Sequence, residues 1–221
     1  MKILCVSDQI DPLIYTNSLK MRYADVDLVL CAGDLPMDYI DFIVSTLNKP
    51  TVFVFGNHHT KEYRYYRTGR NSEYDTGDEN EIRSAGAAYI DEKVIKEEGV
   101  IISGLGGSMC YNKGENQFTN FQMKMRILKI LPGLLFNRIF RGRYLDILLT
   151  HAPPLGIHDR KDKCHWGFEC FLWFMKVFRP RYLVHGHIHL YDLSEVRITR
   201  YLDTTVVNAY GHYIIDTAES A

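Results

Sequence analysis

Five short apolar runs, KILCVS (2 to 7), VDLVLCAG (26 to 33), TVFVFG (51 to 56), YLDILLT (144 to 150) and RYLVHG (181 to 186), recur along the chain, and each is followed at once by Asp, Asn or His. Runs of this length, rich in Val, Ile and Leu, read as strands buried on both faces, as in a parallel sheet covered by helices. Between the first three lie segments with helical potential, about 17 to 24 and 36 to 47, long enough to carry a parallel crossover. The chain is therefore expected to open βαβαβ.

The remaining segments add antiparallel edges. Residues 87 to 107, AAYIDEKVIKEEGVIISGLGG, alternate more and contain a Glu-Gly turn, which fits a ribbon or hairpin. GFECFLWFMKVFRP (167 to 180) carries an apolar helix that stops at Pro180, and 203 to 216 reads as two closing strands with a turn at Gly211. The expected class is α/β, a layered β-sandwich of mixed sheets flanked by helices. A length of 221 residues suits one domain, 1 to 221, with a basic apolar insertion at about 108 to 143. Residues 60 to 84, polar and rich in Tyr, Arg, Gly and Asp, are expected to form a long surface loop.

Composition narrows the partners. Lys plus Arg is 26 against 27 for Asp plus Glu, a net charge of -1, so the chain has no global field for nucleic acid or membranes, and no dedicated nucleic-acid binding is expected. No stretch reaches about 18 consecutive apolar residues, and the first apolar run meets Asp8 too soon for a signal peptide, so a cytoplasmic protein without a transmembrane segment is expected. The cysteines, Cys5, Cys31, Cys110, Cys164 and Cys170, are odd in number and read as free thiols. Cys164 and Cys170 flank His165, but without a CxxC pair they make a poor zinc knuckle.

In a parallel α/β sheet the ligand site lies beyond the carboxyl ends of the strands, so the residues that follow the five runs converge. They are Asp8, then Gly33-Asp34, then Gly56-Asn57-His58-His59, then His151, then His185, His187 and His189 within LVHGHIH. Each has a local use, since Asp and Asn form caps and turns. Five strand ends in succession with this chemistry outrun turn formation, and the Gly before Asp34, Asn57 and His187 lets backbone approach closely. Mixed carboxylate, amide and imidazole donors suit one or two divalent Mn, Fe, Co, Ni or Zn ions rather than Mg or Ca. A carboxylate can bridge two such ions about 3.5 to 4 Å apart, an arrangement that points to phosphoester hydrolysis.

These motifs resemble those of the calcineurin-like metallophosphoesterases, whose strand ends run D-x-H, G-D, G-N-H-D/E, a histidine, then G-H-x-H. Here they stand as Asp8-Gln9-Ile10, Gly33-Asp34, Gly56-Asn57-His58-His59, His151 and Gly186-His187-Ile188-His189. THAPPLGIHD and VVNA are similar to the branch that holds the metallophosphoesterase-domain-containing proteins and their bacterial relatives. The resemblance implies that Asp34 bridges two metals, that Asp8 and His189 bind the first, and that Asn57, His151 and His187 bind the second. His58 would then stabilise charge at the scissile phosphate or protonate the leaving oxygen, while a metal-bound hydroxide attacks phosphorus in a small phosphomonoester or phosphodiester. The pattern is broken at Ile10, where the family has a histidine, and at His59, where it has an acid. Isoleucine cannot ligate, so the first site is expected to be weakened, with Gln9 or Asp11 as substitute oxygen donors if the loop bends. The alternative function is a catalytically weak relative that binds a phosphate-bearing ligand or a protein.

Residues 119 to 143 hold Lys124, Arg126, Lys129, Arg138, Arg141 and Arg143 with no acid, interrupted at Pro132-Gly133. The plain reading is a helix with one apolar face on the body and its charges in water. A cap whose cations hold substrate anions and association with a membrane surface stay open. His158, Asp159 and His165 fall in a loop expected to overhang the metals, and His212 is expected to be structural.

Overall fold

The computed structural model describes residues 1–58, 60–68, 86–192 and 194–218. Strands β1 (Lys2–Ser7), β2 (Leu28–Cys31), β3 (Thr51–Phe53) and β4 (Ala87–Tyr89) run parallel in one sheet, joined through α1 (Leu19–Arg22), α2 (Met37–Leu47) and α3 (Thr60–Thr68). A second sheet contains the antiparallel hairpin β5 (Val94–Glu97) and β6 (Val100–Leu105), and its order continues outward from β6. Next to β6 come β9 (Ile147–Thr150), β10 (Tyr182–His185), β12 (Thr204–Asn208) and the edge strand β11 (Ile198–Tyr201). The chain closes on β13 (Gly211–Asp216), antiparallel to β1 in the first sheet. A short pair, β7 (Ser108–Met109) and β8 (Gln117–Phe118), leads into the long helix α4 (Asn120–Arg141). Helix α5 (Glu169–Phe178) connects β9 to β10.

Side chains alternate between two packed layers, which is why the sequence runs are apolar without a gap. Ile3 and Cys5, Leu28 and Leu30, Ile147 and Leu149, and Val184 and Val207 face the interior between the sheets. Their neighbours Leu4, Val6, Val29 and Cys31 turn outward under α1 to α3. Leu148, Leu183 and Val206 do the same under α4 and α5, with Phe171, Phe174 and Met175. The molecule is thus a mixed-sheet sandwich flanked by helices. Cys5, Cys31 and Cys170 are buried free thiols, and Cys110 and Cys164 are half-buried ones.

Several expectations are corrected. Residues 87 to 107 are not one ribbon, because β4 joins β3 in parallel and the hairpin begins only at Val94. The closing strands β12 and β13 lie in different sheets, so the chain between them crosses the sandwich, and Gly211 opens β13 rather than forming a turn. Strand β11, pairing with β12, was not legible as a run because its residues are half exposed. Residues 60 to 68 form a helix whose Tyr63 and Tyr66 pack on Phe55, where a loop was expected. The rest of that segment lies outside the described residues. Pro132 does not interrupt α4. Pro132 is exposed, as is Leu128 one turn earlier, whose carbonyl loses its donor.

Candidate metal centre

Three of the expected ligands have left-handed backbone, Asp8 at φ 62°, Asp34 at φ 52° and His187 at φ 67°. Non-glycine residues adopt this region rarely, at a cost of order 1–3 kcal/mol, and such strain clusters at functional sites. Each turn follows the end of a strand and swings the side chain out of the strand's line. The neighbouring glycines leave room for this. A Cβ on Gly33 would lie 2.5 Å from His151 Nδ1, and one on Gly186 would lie 2.4 Å from Asp8 Oδ2. A Cβ on Gly56 would sit 2.2 Å from Asp34 Oδ1 and 2.6 Å from His151 Cε1.

Within this cradle Asp34, His151 and His187 bring one donor atom each within 4.8 Å of one another. Asp34 Oδ2 is 3.2 Å from His151 Nε2, and the His151 and His187 rings are 4.9 Å apart. The opposite nitrogens are tied to carbonyls, which can only accept. His151 Nδ1 donates to Ala32 O at 2.8 Å and His187 Nε2 donates to Cys164 O at 2.6 Å. This fixes both rings with Nε2 of His151 and Nδ1 of His187 turned to the cluster, the usual way a protein orients imidazole ligands. Asn57 is buried, its Nδ2 donating to the Tyr111 hydroxyl at 3.2 Å. Its Oδ1 and His151 Nε2 are buried with no hydrogen-bond partner. Orphaned buried polar atoms are rare and call for an explanation.

Asp8 and His189 lie alongside. Both oxygens of the buried Asp8 carboxylate accept from the His187 amide, at 3.0 and 2.9 Å. His189 Nε2 is 4.0 Å from Asp8, while its Nδ1 meets the Tyr191 hydroxyl at 2.8 Å and its ring stacks on Tyr210. His187 therefore joins the two halves, with its amide on Asp8 and its ring beside Asp34 and His151. His58 is open to solvent, its amide donating to Asp34 Oδ1 at 3.0 Å and its Nε2 3.9 Å from Asp34 Oδ2. His59 lies outside the described residues.

The charge balance favours a cation. Burial pushes Asp8 up to about 6, against the pull of His151. Burial alone would lower His151, but Asp34 and then Asp8 lift it to about 9. His187 is pushed down to about 3 by burial and by His151 beside it. Two buried carboxylates thus draw a proton onto the nearest imidazole, although the contact with Asp34 is too poorly aligned to be a hydrogen bond. A divalent ion would take that proton's place, because metal ligands must be deprotonated. The donor set, the orphaned atoms and the charge all fit divalent transition metals.

Asp11 is not a substitute donor for the missing histidine. Its Oδ1 accepts from Leu13 N at 2.8 Å in a turn, and its Oδ2 takes a 2.6 Å bond from His212 Nδ1. His212, also bonded to Tyr23, is structural. Ile10 is exposed. The loop after strand β9 does overhang the centre at one end, where His165 packs 5.4 Å from His187 and Cys164 supplies its carbonyl. With Asp162, these two residues form a second, more exposed group of possible metal donors. His158 lies elsewhere, with Nδ1 donating to His185 Nε2 at 2.9 Å and Nε2 accepting from Thr199 at 2.9 Å. Sequence reasoning missed Tyr111, the Cys164 carbonyl and Asn116, whose Nδ2 donates to Phe55 O and Gly56 O and braces the Asn57 turn. Backbone groups and lone loop residues leave no periodic signal.

The model of the family described as calcineurin-like phosphoesterase matches residues 1–191. A UPF0046 protein of Caenorhabditis elegans is 22% identical over 205 residues, which cover 86% of this chain and 63% of that protein's length. One solved structure superposes with a TM-score of 0.67 at 13% identity, covering 99% of this chain and 95% of its own. TT1561 of Thermus thermophilus superposes with a TM-score of 0.60 at 14% identity, covering 95% of this chain and 89% of its own.

Proposed function

From the premise that this chain belongs to the calcineurin-like phosphoesterase family, we propose that it hydrolyses a small phosphomonoester or phosphodiester with divalent transition metals. Asp34 would serve both ions, Asp8 and His189 would hold the first, and Asn57, His151 and His187 would hold the second. Two such ions would polarise phosphoryl oxygens and make water nucleophilic near neutral pH. The chain's own residues set the geometry. The carbonyls of Ala32 and Cys164 hold the imidazoles in the ligating tautomer, and Tyr111 orients the Asn57 amide. His58, anchored by its amide and with its ring exposed beside Asp34, would give a proton to the leaving oxygen.

The observation that carries the proposal is the orphaned, buried Nε2 of His151 in a group with Asp34 and His187, with a second orphaned buried atom, Asn57 Oδ1, just past the end of β3. A panel of chromogenic phosphomonoesters and phosphodiesters with Mn, Co, Ni and Zn tests it. Turnover that Asp34→Asn abolishes and His58→Ala lowers by about 10²-fold or more is expected for metal and general-acid roles. Equal turnover in wild type and Asp34→Asn would sink it. A second reading, a weak hydrolase that chiefly binds a phosphate-bearing ligand, is favoured by Ile10 and by Asp11's engagement with His212. It expects thermal stabilisation by phosphate esters without turnover.

A further inference from the structure

Helix α4 carries two apolar faces. Met123, Ile127, Ile130 and Leu134 are buried in the core beneath the second sheet. On the opposite side Phe121, Met125, Leu128, Leu135 and Ile139 are exposed, Ile139 by 74%, and Phe136 and Phe140 widen the stripe toward its end. At 100° per residue these positions fall along one side of the helix, over a length of about 29 Å. Trp173 and Val177 of α5 extend the face, and Trp173 lines a groove of about 530 Å³ with Phe121, Met125 and Leu128. A patch of this extent marks an interaction surface.

The charges around it choose the occupant. Between 119 and 143 there is no Asp or Glu. Lys124 lines the groove, and Lys176 is exposed between Trp173 and Val177 in sequence. Arg138 and Arg141 bond neutral groups, the Gly142 carbonyl and the Asn137 amide oxygen, so their charge stays uncompensated by these bonds. Lys129 pairs with Glu92, and Glu169 is the acidic residue lining the groove. A second copy seated on the stripe would add a second set of α4 cations with no acid on that helix to answer them. No helix of the described residues is long and apolar enough to cross a membrane. An apolar face of Phe, Leu, Ile and Trp with Lys124 and Lys176 beside it and Arg138 and Arg141 at the exposed C-terminal end of the helix has the composition of a surface that lies in a bilayer's headgroup region.

We propose that the exposed face of α4, with Trp173 and Val177, docks the protein on the surface of an anionic lipid bilayer. Flotation with phosphatidylcholine vesicles, with or without about 30% phosphatidylglycerol, tests this on the full chain. The bound fraction is expected to be about tenfold higher on anionic vesicles and to fall with added salt. Phe136→Ser/Ile139→Ser/Phe140→Ser should lower it about tenfold with the melting temperature kept, since all three side chains are exposed. Lys124→Glu/Arg138→Glu/Arg141→Glu should remove the preference for anionic lipid. Failure of the unmodified protein to float at low salt would overturn the proposal. So would flotation unchanged in both variants, or a wild-type dimer in ultracentrifugation that the serine variant dissociates.

Discussion

Gly56 shows how tightly single residues define the centre. Its Cα faces Asp34 so closely that an alanine methyl would meet the carboxylate at 2.2 Å. Gly56→Ala is expected to destabilise the fold by about 1–3 kcal/mol, the usual penalty of overpacking, and to displace Asp34. Urea unfolding and metal titration of the purified variant should both register the change. At Ile10 the expectation runs the other way. With Asp11 held by His212, a first ion would have one donor fewer than the family pattern, so protein purified without added metal is expected to carry about one ion per chain. Ile10→His should raise the metal content measured by atomic emission, and two tightly held ions in the unmodified chain would refute this. That Asp34, His151 and His187 come together was legible because each follows a strand end, where topology forces convergence. The engagement of Asp11 was not legible, because its turn bond to Leu13 and its partner 201 residues away are invisible to spacing.

Among the elements, α4 was half legible. Its capping box, Thr119 with Gln122, and its C-terminal Gly142 in left-handed backbone mark both ends. The mid-helix Pro132 suggested a break that packing overrides, because Met123, Ile127, Ile130 and Leu134 hold the helix on both sides of it. One of its basic residues is also not free to form a cap. Arg126 is buried, donating to both Asp91 oxygens at 2.5 Å, to Glu92 at 2.8 Å and to the Gly106 carbonyl at 2.7 Å. Removing one side of such a buried ionic cluster leaves unpaired charge, so Arg126→Met is expected to cost about 3–5 kcal/mol in chemical denaturation. By contrast, Arg143 pairs with Asp146, and Arg138 and Arg141 bond within their own helix or its cap. Changing these three to Ala should leave the Michaelis constant unaltered for every phosphoester hydrolysed.

At the scale of the whole molecule the sandwich order was readable, since doubly buried strands need helices on both faces, but the crossing from β12 to β13 was not. Nothing local distinguishes a hairpin from a change of sheet. Global stability should report the pair of half-buried His158 and buried His185. Burial lowers His158 to about 4, and His185 beside it is also depressed. His158 therefore folds neutral: its contribution is present above the unfolded value of about 6.5 and is lost as pH falls toward 4. At pH 5 this alone should remove about 1–2 kcal/mol, and His158→Gln should flatten the dependence of the urea midpoint between pH 7 and 5. The centre has a mechanical consequence as well. Asp34 and Asn57 follow strands of one sheet and His151 and His187 strands of the other. An ion gripped by all four would act as a clasp across the sandwich, closing a chain loop from Asp34 to His187, so that chelation would loosen the two sheets' hold on each other before any residue is changed.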